Sequence, residues 1–337
     1  MVVFLFLLVA SCKSGTTPSE TTPEPTVTPS DSSTDTAPSP LLSPSPIPSS
    51  EPSDPSGDYP VYTLTILHTN DWHGVLDRVP QYATLVKEIR AETDNVLLLD
   101  AGDIFRRGMY EEYFGEVEIK IMNAMGYDAL TFGNNDYPQK DKEMPDFPRH
   151  PILLTAEFPI LCANVTIDGE VLDGFEPYIV VTVGGLDIAV IGVTSMKPHN
   201  NGSDISKKAD FTSPELVVEQ MLAEVKPVSD IQIVLSHAGI DKDREMRGVS
   251  AVVGGDNHMV LYTPAVILDD DKSIPIVQAG GEENHFLGRL DLTFEEIDGV
   301  WVLHSFHGRL LSIVDTPPDP EIEAIIEHYL SELELAA

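Results

Sequence analysis

Aspartate, histidine and asparagine recur at the ends of apolar runs in this chain: Asp71 with His73, then Asp103, Asn134, His237, and Asp256 with His258. The first pair lies in Leu64–Gly74, LTILHTNDWHG, where a strand predicted over Tyr62–His68 stops abruptly in polar residues and Gly74. Asp71 and His73 stand two apart, so an oxygen and a nitrogen can reach one metal ion from a single turn. D-x-H alone is a weak signal. Its force comes from the four clusters that follow, each just after a strand-like run. Singly, each has a plainer reading: a strand-end aspartate as a helix cap or turn residue, a histidine as a surface or satisfied core group.

Parallel strands are the elements that can bring such residues together, because open α/β folds place their sites at strand carboxyl ends. Asn95–Asp100 (NVLLLD) is a fully apolar run ending in Ala101-Gly102-Asp103, as a buried parallel strand should be. A carboxylate directly after a glycine can approach two metals closely. Helical spacing marks Pro80–Glu92, Gly115–Met125 and Pro214–Lys226. Further strands are predicted over Tyr127–Phe132, Ile160–Val165, Asp230–Leu235 and Ala251–Val253. Tyr178–Val183 and Leu186–Thr194 flank Gly184-Gly185, and Leu287–Phe294 and Val300–Phe306 flank Asp298-Gly299, both hairpin signals. Ala265–Leu268 and Ile274–Gln278 bracket an Asp-rich turn, so the C-terminal third should be antiparallel, closed by an amphipathic helix over Pro320–Leu335. Early βαβ units with late antiparallel strands predict two stacked sheets with helices outside.

The chain has 337 residues and a formal net charge of −35. That acid excess argues against a nucleic-acid partner, which needs clustered Lys and Arg. It would also repel a phosphorylated ligand unless bound cations reverse the field locally. Two cysteines, Cys12 and Cys162, give no disulfide framework. Met1–Ala10 is apolar but too short to span a bilayer and reads as an export signal, although a basic start is missing. Val9-Ala10-Ser11-Cys12 resembles a bacterial lipobox, in which Cys12 would carry lipid; an ordinary signal peptide is the blander reading. Residues 13–60 are Ser, Thr, Pro and acid-rich and should form an unfolded tether. Cys162, in PILCANV, reads as a buried thiol.

The order and spacing of TNDWHG, AGD, GNN, the lone strand-end His237 and GGDNH resemble the calcineurin-like metallophosphoesterases, in their 5′-nucleotidase branch. The resemblance runs over roughly Tyr62–Val314, and LCANV, VIGVTS and FLGRLDLTF extend it between and after these motifs. It implies a four-layer α/β/β/α sandwich of two mixed sheets flanked by helices. On that basis residues 61–316 form the metallophosphoesterase domain and 317–337 a C-terminal helix. One metal ion would take Asp71, His73, Asp103 and His258; the other would take Asp103, Asn134, His237 and Asp256, with Asp103 bridging. Two divalent ions (Mn, Fe, Mg or Zn) in that arrangement clamp a phosphoryl oxygen and activate water for in-line attack. The partners implied are a small phosphorylated substrate and, through Cys12, a membrane outside the cytoplasm.

Three departures from the branch matter. Its GNH becomes Gly133-Asn134-Asn135, and the aspartate that orients that histidine falls on Pro138. Asn135 can donate a hydrogen bond but cannot supply a proton at neutral pH. Asp256 replaces the first histidine of GGHxH, which enriches the second site in oxygen. Little more than a helix follows Val314, so nucleotide specificity does not carry over. His285 is a candidate for the missing acid, with a surface loop histidine as the plainer reading. Arg106 and Arg107 are candidates for holding a phosphate oxygen, with a solvated loop pair as theirs. His68 reads as packing. The function implied is an exported metal-dependent phosphoesterase of reduced or altered activity. The alternative is an inactive lipoprotein that binds metal and a phosphate ligand on the same fold.

Overall fold

Apolar residues at alternate positions decide which way each strand faces. In chain order the first elements are β1 (Val61–Thr69), α1 (Val79–Glu92), β2 (Val96–Asp100), α2 (Glu116–Met125), β3 (Ala129–Thr131), α3 (Pro151–Thr155) and β4 (Ile160–Leu161). Then come β5 (Val165–Ile167), β6 (Glu170–Val171), β7 (Tyr178–Val183), β8 (Leu186–Thr194), α4 (Asp204–Lys208), β9 (Asp210–Phe211), α5 (Pro214–Val225), β10 (Ile231–His237), α6 (Ile240–Asp243) and β11 (Ala251–Gly254). The last are β12 (Ala265–Asp269), β13 (Lys272–Val277), β14 (Phe286–Ile297), β15 (Val300–Ser312) and α7 (Pro320–Ala336). This computed structural model describes residues 59–138, 149–196, 204–282 and 286–336. The leader with Cys12, the tether up to residue 58, and His285 lie outside the described residues.

Two six-stranded sheets form, in the orders β15-β14-β1-β2-β3-β4 and β12-β13-β11-β10-β8-β7, with a small β6-β5-β9 sheet beside them. The second sheet has a parallel centre with an antiparallel strand at each edge, whereas the first is parallel from β1 to β4 and antiparallel only on the β14-β15 side. Leu64, Ile66, Leu97 and Leu99 of the first sheet pack with Ile188, Val190, Ile231, Ile233 and Leu235 of the second. Their odd-register neighbours turn outward, as a period of two requires. Leu67 and Leu98 meet Val86 of α1, Met122 of α2, and Ile322 and Tyr329 of α7. Val234 and Val252 meet Val218 and Leu222 of α5 on the opposite side. The result is the four-layer sandwich, with α7 built into its outer helical layer.

Both hairpin signals hold: Asp298 and Gly299, and Gly184 and Gly185, all have positive φ, as two-residue primed turns require. Two strand expectations change. The run Ile160–Val165 breaks after Leu161 because the buried Asn164 side chain bonds Thr194 N and O and the Thr212 carbonyl, turning the chain into the small sheet. β13 is not purely antiparallel; it pairs with β12 antiparallel but with β11 in parallel, which brings its carboxyl end to the same edge as the others.

His68 is fully buried on β1, opposite Gly288 of β14. A Cβ on Gly288 would lie 2.0 Å from His68 Nε2, so glycine is what admits the imidazole. Burial lowers the His68 pKa to about 3. Gly288→Ala should cost about 1–3 kcal/mol in urea denaturation, partly recovered in the His68→Ala double variant. The unfolded imidazole titrates near 6.5, so the unfolded chain binds the extra proton and stability drains as pH falls from about 6.5 toward 3. Below pH 6 the wild type should therefore lose stability more steeply than His68→Gln, by up to about 1.4 kcal/mol per pH unit.

Candidate functional site

Strand carboxyl ends from both sheets meet along one edge. β1 leads into Asn70–Gly74, β2 into Ala101–Asp103, β3 into Gly133–Asp136, β11 into Asp256–His258 and β13 into Gln278–Glu282, while β10 ends in His237 itself. Asp71, His73 and His258 bring ligand-capable atoms within 4.8 Å of one another, and so do Asp71, Asp103 and His237. Asp103 Oδ2 stands between the two groups, 3.8 Å from His73 Nε2 and 3.3 Å from His237 Nε2. His258 Nε2 lies 3.4 Å from Asp71 Oδ1 and 3.2 Å from His73 Nε2. Asp256 Oδ1 lies 3.9 Å from His237 Nε2. Asn134 reaches Asp256 Oδ1 at 2.9 Å when its amide nitrogen faces that oxygen. With its oxygen there instead, two acceptors face one another. All seven sequence-predicted ligands thus converge.

The donor set fits a pair of cations. His237 Nδ1 lies 2.6 Å from the Ala101 carbonyl, which can only accept, so Nδ1 carries a hydrogen and Nε2, facing Asp103, is the atom left to take a proton or a cation. At most one hydrogen fits between the Nε2 atoms of His73 and His258. Asp71 Oδ1 is buried with no hydrogen-bond partner. Lone pairs aimed at lone pairs in a dry pocket call for positive charge between them. Burial works against charge on His237, yet the Asp103 carboxylate, with Asp71 and Asp256 beyond it, raises its pKa well above the usual histidine value. Burial also pushes Asp103 up, and His237, His73 and Asn135 together bring it below the ordinary carboxylate range.

Backbone strain marks the same residues: Asp71, His73, Asp103, Asp256 and His258 all have positive φ. Their loops are tied across by Asp71 N to Gly102 O at 2.8 Å and His73 N to Asp103 O at 3.0 Å. A Cβ on Gly133 would sit 2.1 Å from Asp103 Oδ1, so the glycine before Asn134 makes room for that carboxylate.

Four supporting residues escaped the sequence reading. Asp136 accepts from Asp103 N at 2.8 Å, Gly133 N at 2.9 Å and Ile104 N at 3.1 Å, cradling the loop that carries Asp103. Asn70 donates to Asp71 Oδ2 at 2.7 Å and accepts from Ala279 N at 2.9 Å, joining the two sheets. Gln278 donates to Gly255 O at 2.9 Å and Asn257 Oδ1 at 3.1 Å, pinning the Asp256–His258 loop. Glu282 Oε2 lies 3.5 Å from His73 Nε2. The signal for Asp136 was its place two residues after Asn134; for Glu282 it was the glycine pair just before it.

The two arginines part company. Arg106 is buried, donates to the Tyr137 carbonyl and lies over the Phe105 ring. Its expected hold on a phosphate oxygen is therefore withdrawn, because its guanidinium is turned into the protein. Arg107 stays half-exposed at the mouth, 3.0 Å from Glu282 Oε1. Asn135 faces the pocket, donating from N to Asp103 Oδ1 at 2.7 Å and from Nδ2 to Oδ2 at 2.5 Å.

The family model for calcineurin-like phosphoesterases matches residues 64–261, a span that contains all seven converging residues. The chain belongs to that family. The calcineurin-like phosphoesterases are hydrolytic, metal-dependent enzymes, and this member shares 31% identity over 311 residues with the trifunctional nucleotide phosphoesterase protein YfkN of Bacillus subtilis, covering 81% of this chain and 21% of YfkN. It shares 31% identity over 316 residues with the 5′-nucleotidase of Bos taurus, covering 81% of this chain and 53% of that protein. The phosphoesterase fold matches the 5′-nucleotidase precursor of Thermus thermophilus with a TM-score of 0.67 at 24% identity, over 81% of this chain and 59% of that one. The chain thus spans about half the length of the Bos taurus relative and about a fifth of YfkN.

Asp136→Asn keeps the shape but replaces a carboxylate cradle with one oxygen and a mismatched donor. It should lower stability by about 1–3 kcal/mol in thermal unfolding. It should also weaken Mn²⁺ binding by about 10–100-fold in calorimetry.

Proposed function

We propose that this protein hydrolyses phosphate esters, nucleotides among them, at a centre holding two divalent cations (Mn, Fe, Mg or Zn). The observation that carries the reading is the convergence of seven side chains, from four loops and the end of β10, with Asp103 Oδ2 between the two groups. Asp71, His73, Asp103 and His258 would hold one ion; Asp103, Asn134, His237 and Asp256 would hold the other. When bound, such a pair supplies Lewis-acid activation of water and offsets phosphate charge.

The chain's own groups do the positioning. The Ala101 carbonyl fixes the His237 tautomer, Asn70 holds Asp71, and Gln278 fixes the loop of Asp256 and His258. Asn135 donates from its backbone N and from Nδ2 to Asp103 and orients that carboxylate. An amide has no proton to give a departing alkoxide at neutral pH, and the lost acid help is worth about 10²–10⁴-fold. Esters with acidic leaving groups, which depart unprotonated, are the substrates that tolerate this loss. Arg107 at the mouth is the remaining candidate for a phosphate oxygen.

The lipobox reading adds export and a lipid anchor at Cys12. Among the described residues no helix is long and apolar enough to cross a membrane.

With Mn²⁺, the protein should turn over 4-nitrophenyl esters faster than alkyl phosphates, and Asp103→Asn should abolish both activities. Asn135→His should raise alkyl-phosphate turnover by about tenfold or more and flatten the dependence on leaving-group pKa. Metal-loaded protein that is thermally stabilised by phosphate ligands yet releases no product from aryl esters or nucleotides would favour the binding-protein alternative. In a bacterial host, Cys12→Ala should move the protein from the membrane to the soluble exported fraction.

A further inference from the structure

Glu282 is a carboxylate at this centre for which the ligand assignment has no role. It follows β13, with Oε2 3.5 Å from His73 Nε2 and 3.9 Å from His258 Nδ1. That oxygen is buried and has no hydrogen-bond partner. Oε1 pairs with Arg107 Nη1 at 3.0 Å. Glu282 therefore does two things at once: it aims a negative oxygen at the histidines of the first cation position, and it neutralises the cationic side chain at the mouth.

The consequence is one of charge. Asp71, Asp103, Asp256 and Glu282 place four negative charges around the centre, against four on two divalent cations and one on Arg107, so an excess of only one positive charge remains. With a neutral histidine at 256, as the family pattern has it, and without Glu282, the same cations and Arg107 would keep an excess of three positive charges. The chain's formal charge of −35 supplies no attraction of its own. A doubly charged phosphate group depends on such an excess for binding; a singly charged one depends on it about half as much.

We propose that Glu282 is a charge-balancing residue of the first cation position, and that with Asp256 it turns the centre toward singly charged phosphodiesters and away from doubly charged phosphomonoesters. The proposal rests on the two-metal phosphoesterase reading and names its substrate class.

The test uses the full chain with Mn²⁺, Glu282→Gln and Arg107→Gln. Calorimetry reads Mn²⁺ affinity and the binding of inorganic phosphate to Mn²⁺-loaded protein. Kinetics compare bis(4-nitrophenyl) phosphate with 4-nitrophenyl phosphate, which share a leaving group and differ in charge. Glu282→Gln should weaken one class of Mn²⁺ site by about tenfold. At saturating Mn²⁺ it should tighten inorganic phosphate by about tenfold and raise the monoester-to-diester ratio of kcat/KM by a similar factor. Arg107→Gln, which leaves Glu282 unneutralised, should move phosphate affinity and the ratio the other way and tighten that class of Mn²⁺ site, which loss of a phosphate contact alone would not do. If Glu282→Gln leaves both unchanged, or if the two variants shift them in the same direction as loss of a merely structural ion pair would, the charge-balancing role is overturned. Wild-type protein that binds no Mn²⁺ overturns the phosphoesterase reading and this proposal with it. Wild-type protein that binds Mn²⁺ and turns over either ester, with no change in phosphate affinity or ratio in Glu282→Gln, overturns this proposal alone.

Discussion

The Asp103 carboxylate takes hydrogen bonds from Asn135 on one side and faces the nitrogens of His73 and His237 on the other. An ionised group at that depth is costly unless countercharge and hydrogen bonds surround it. The neighbourhood is arranged to that end. Gly133 clears the space, Asp136 gathers the backbone N–H groups of the loop, and the Ala101 carbonyl sets the proton of His237. Positive φ at five of the converging residues is the backbone cost of the same arrangement, sustained by two large sheets that hold the loop ends fixed.

The fold was legible because its signals are local. VLLLD reads as a buried parallel strand whatever surrounds it, and Asp298-Gly299 reads as a tight turn from two residues. The metal-ligand candidates were legible because each stands just past such a run, and their common order carried the family resemblance. Asp136, Asn70, Gln278 and Glu282 were not, since their partners lie in other loops or in the second sheet. Asn70 bonds Ala279, more than two hundred residues away, and nothing near it in sequence announces that. Arg106 and Arg107 show the limit from the other side: adjacent in sequence and alike in chemistry, they are parted by backbone turns at positive φ that send one inward and leave the other at the mouth. The break after Leu161 was hidden for a related reason, because it depends on an asparagine side chain capping strands distant in the chain.

The departures from the family pattern form one chemical trend. Asn135 removes a proton donor and Asp256 exchanges a neutral imidazole for an anion, and in the same direction the structure sets a further anion, Glu282, beside His73. Each alone is a modest change at the edge of an intact framework. In the phosphoesterase proposed above, they would leave the cation-holding side chains in place while altering what the cations attract and what leaving groups the pocket assists.

His237 belongs to the second sheet and Ala101 to the loop following the first, and their 2.6 Å contact crosses the interface between them. Asn70 crosses the same interface in the opposite sense, from the first sheet to the backbone after β13. The packing between the sheets is apolar and could tolerate sliding, since side chains of similar size interdigitate at many offsets. These polar ties could not. They act as alignment pins along a greasy seam, so a slip of one strand step would unmake the pocket before it exposed the core.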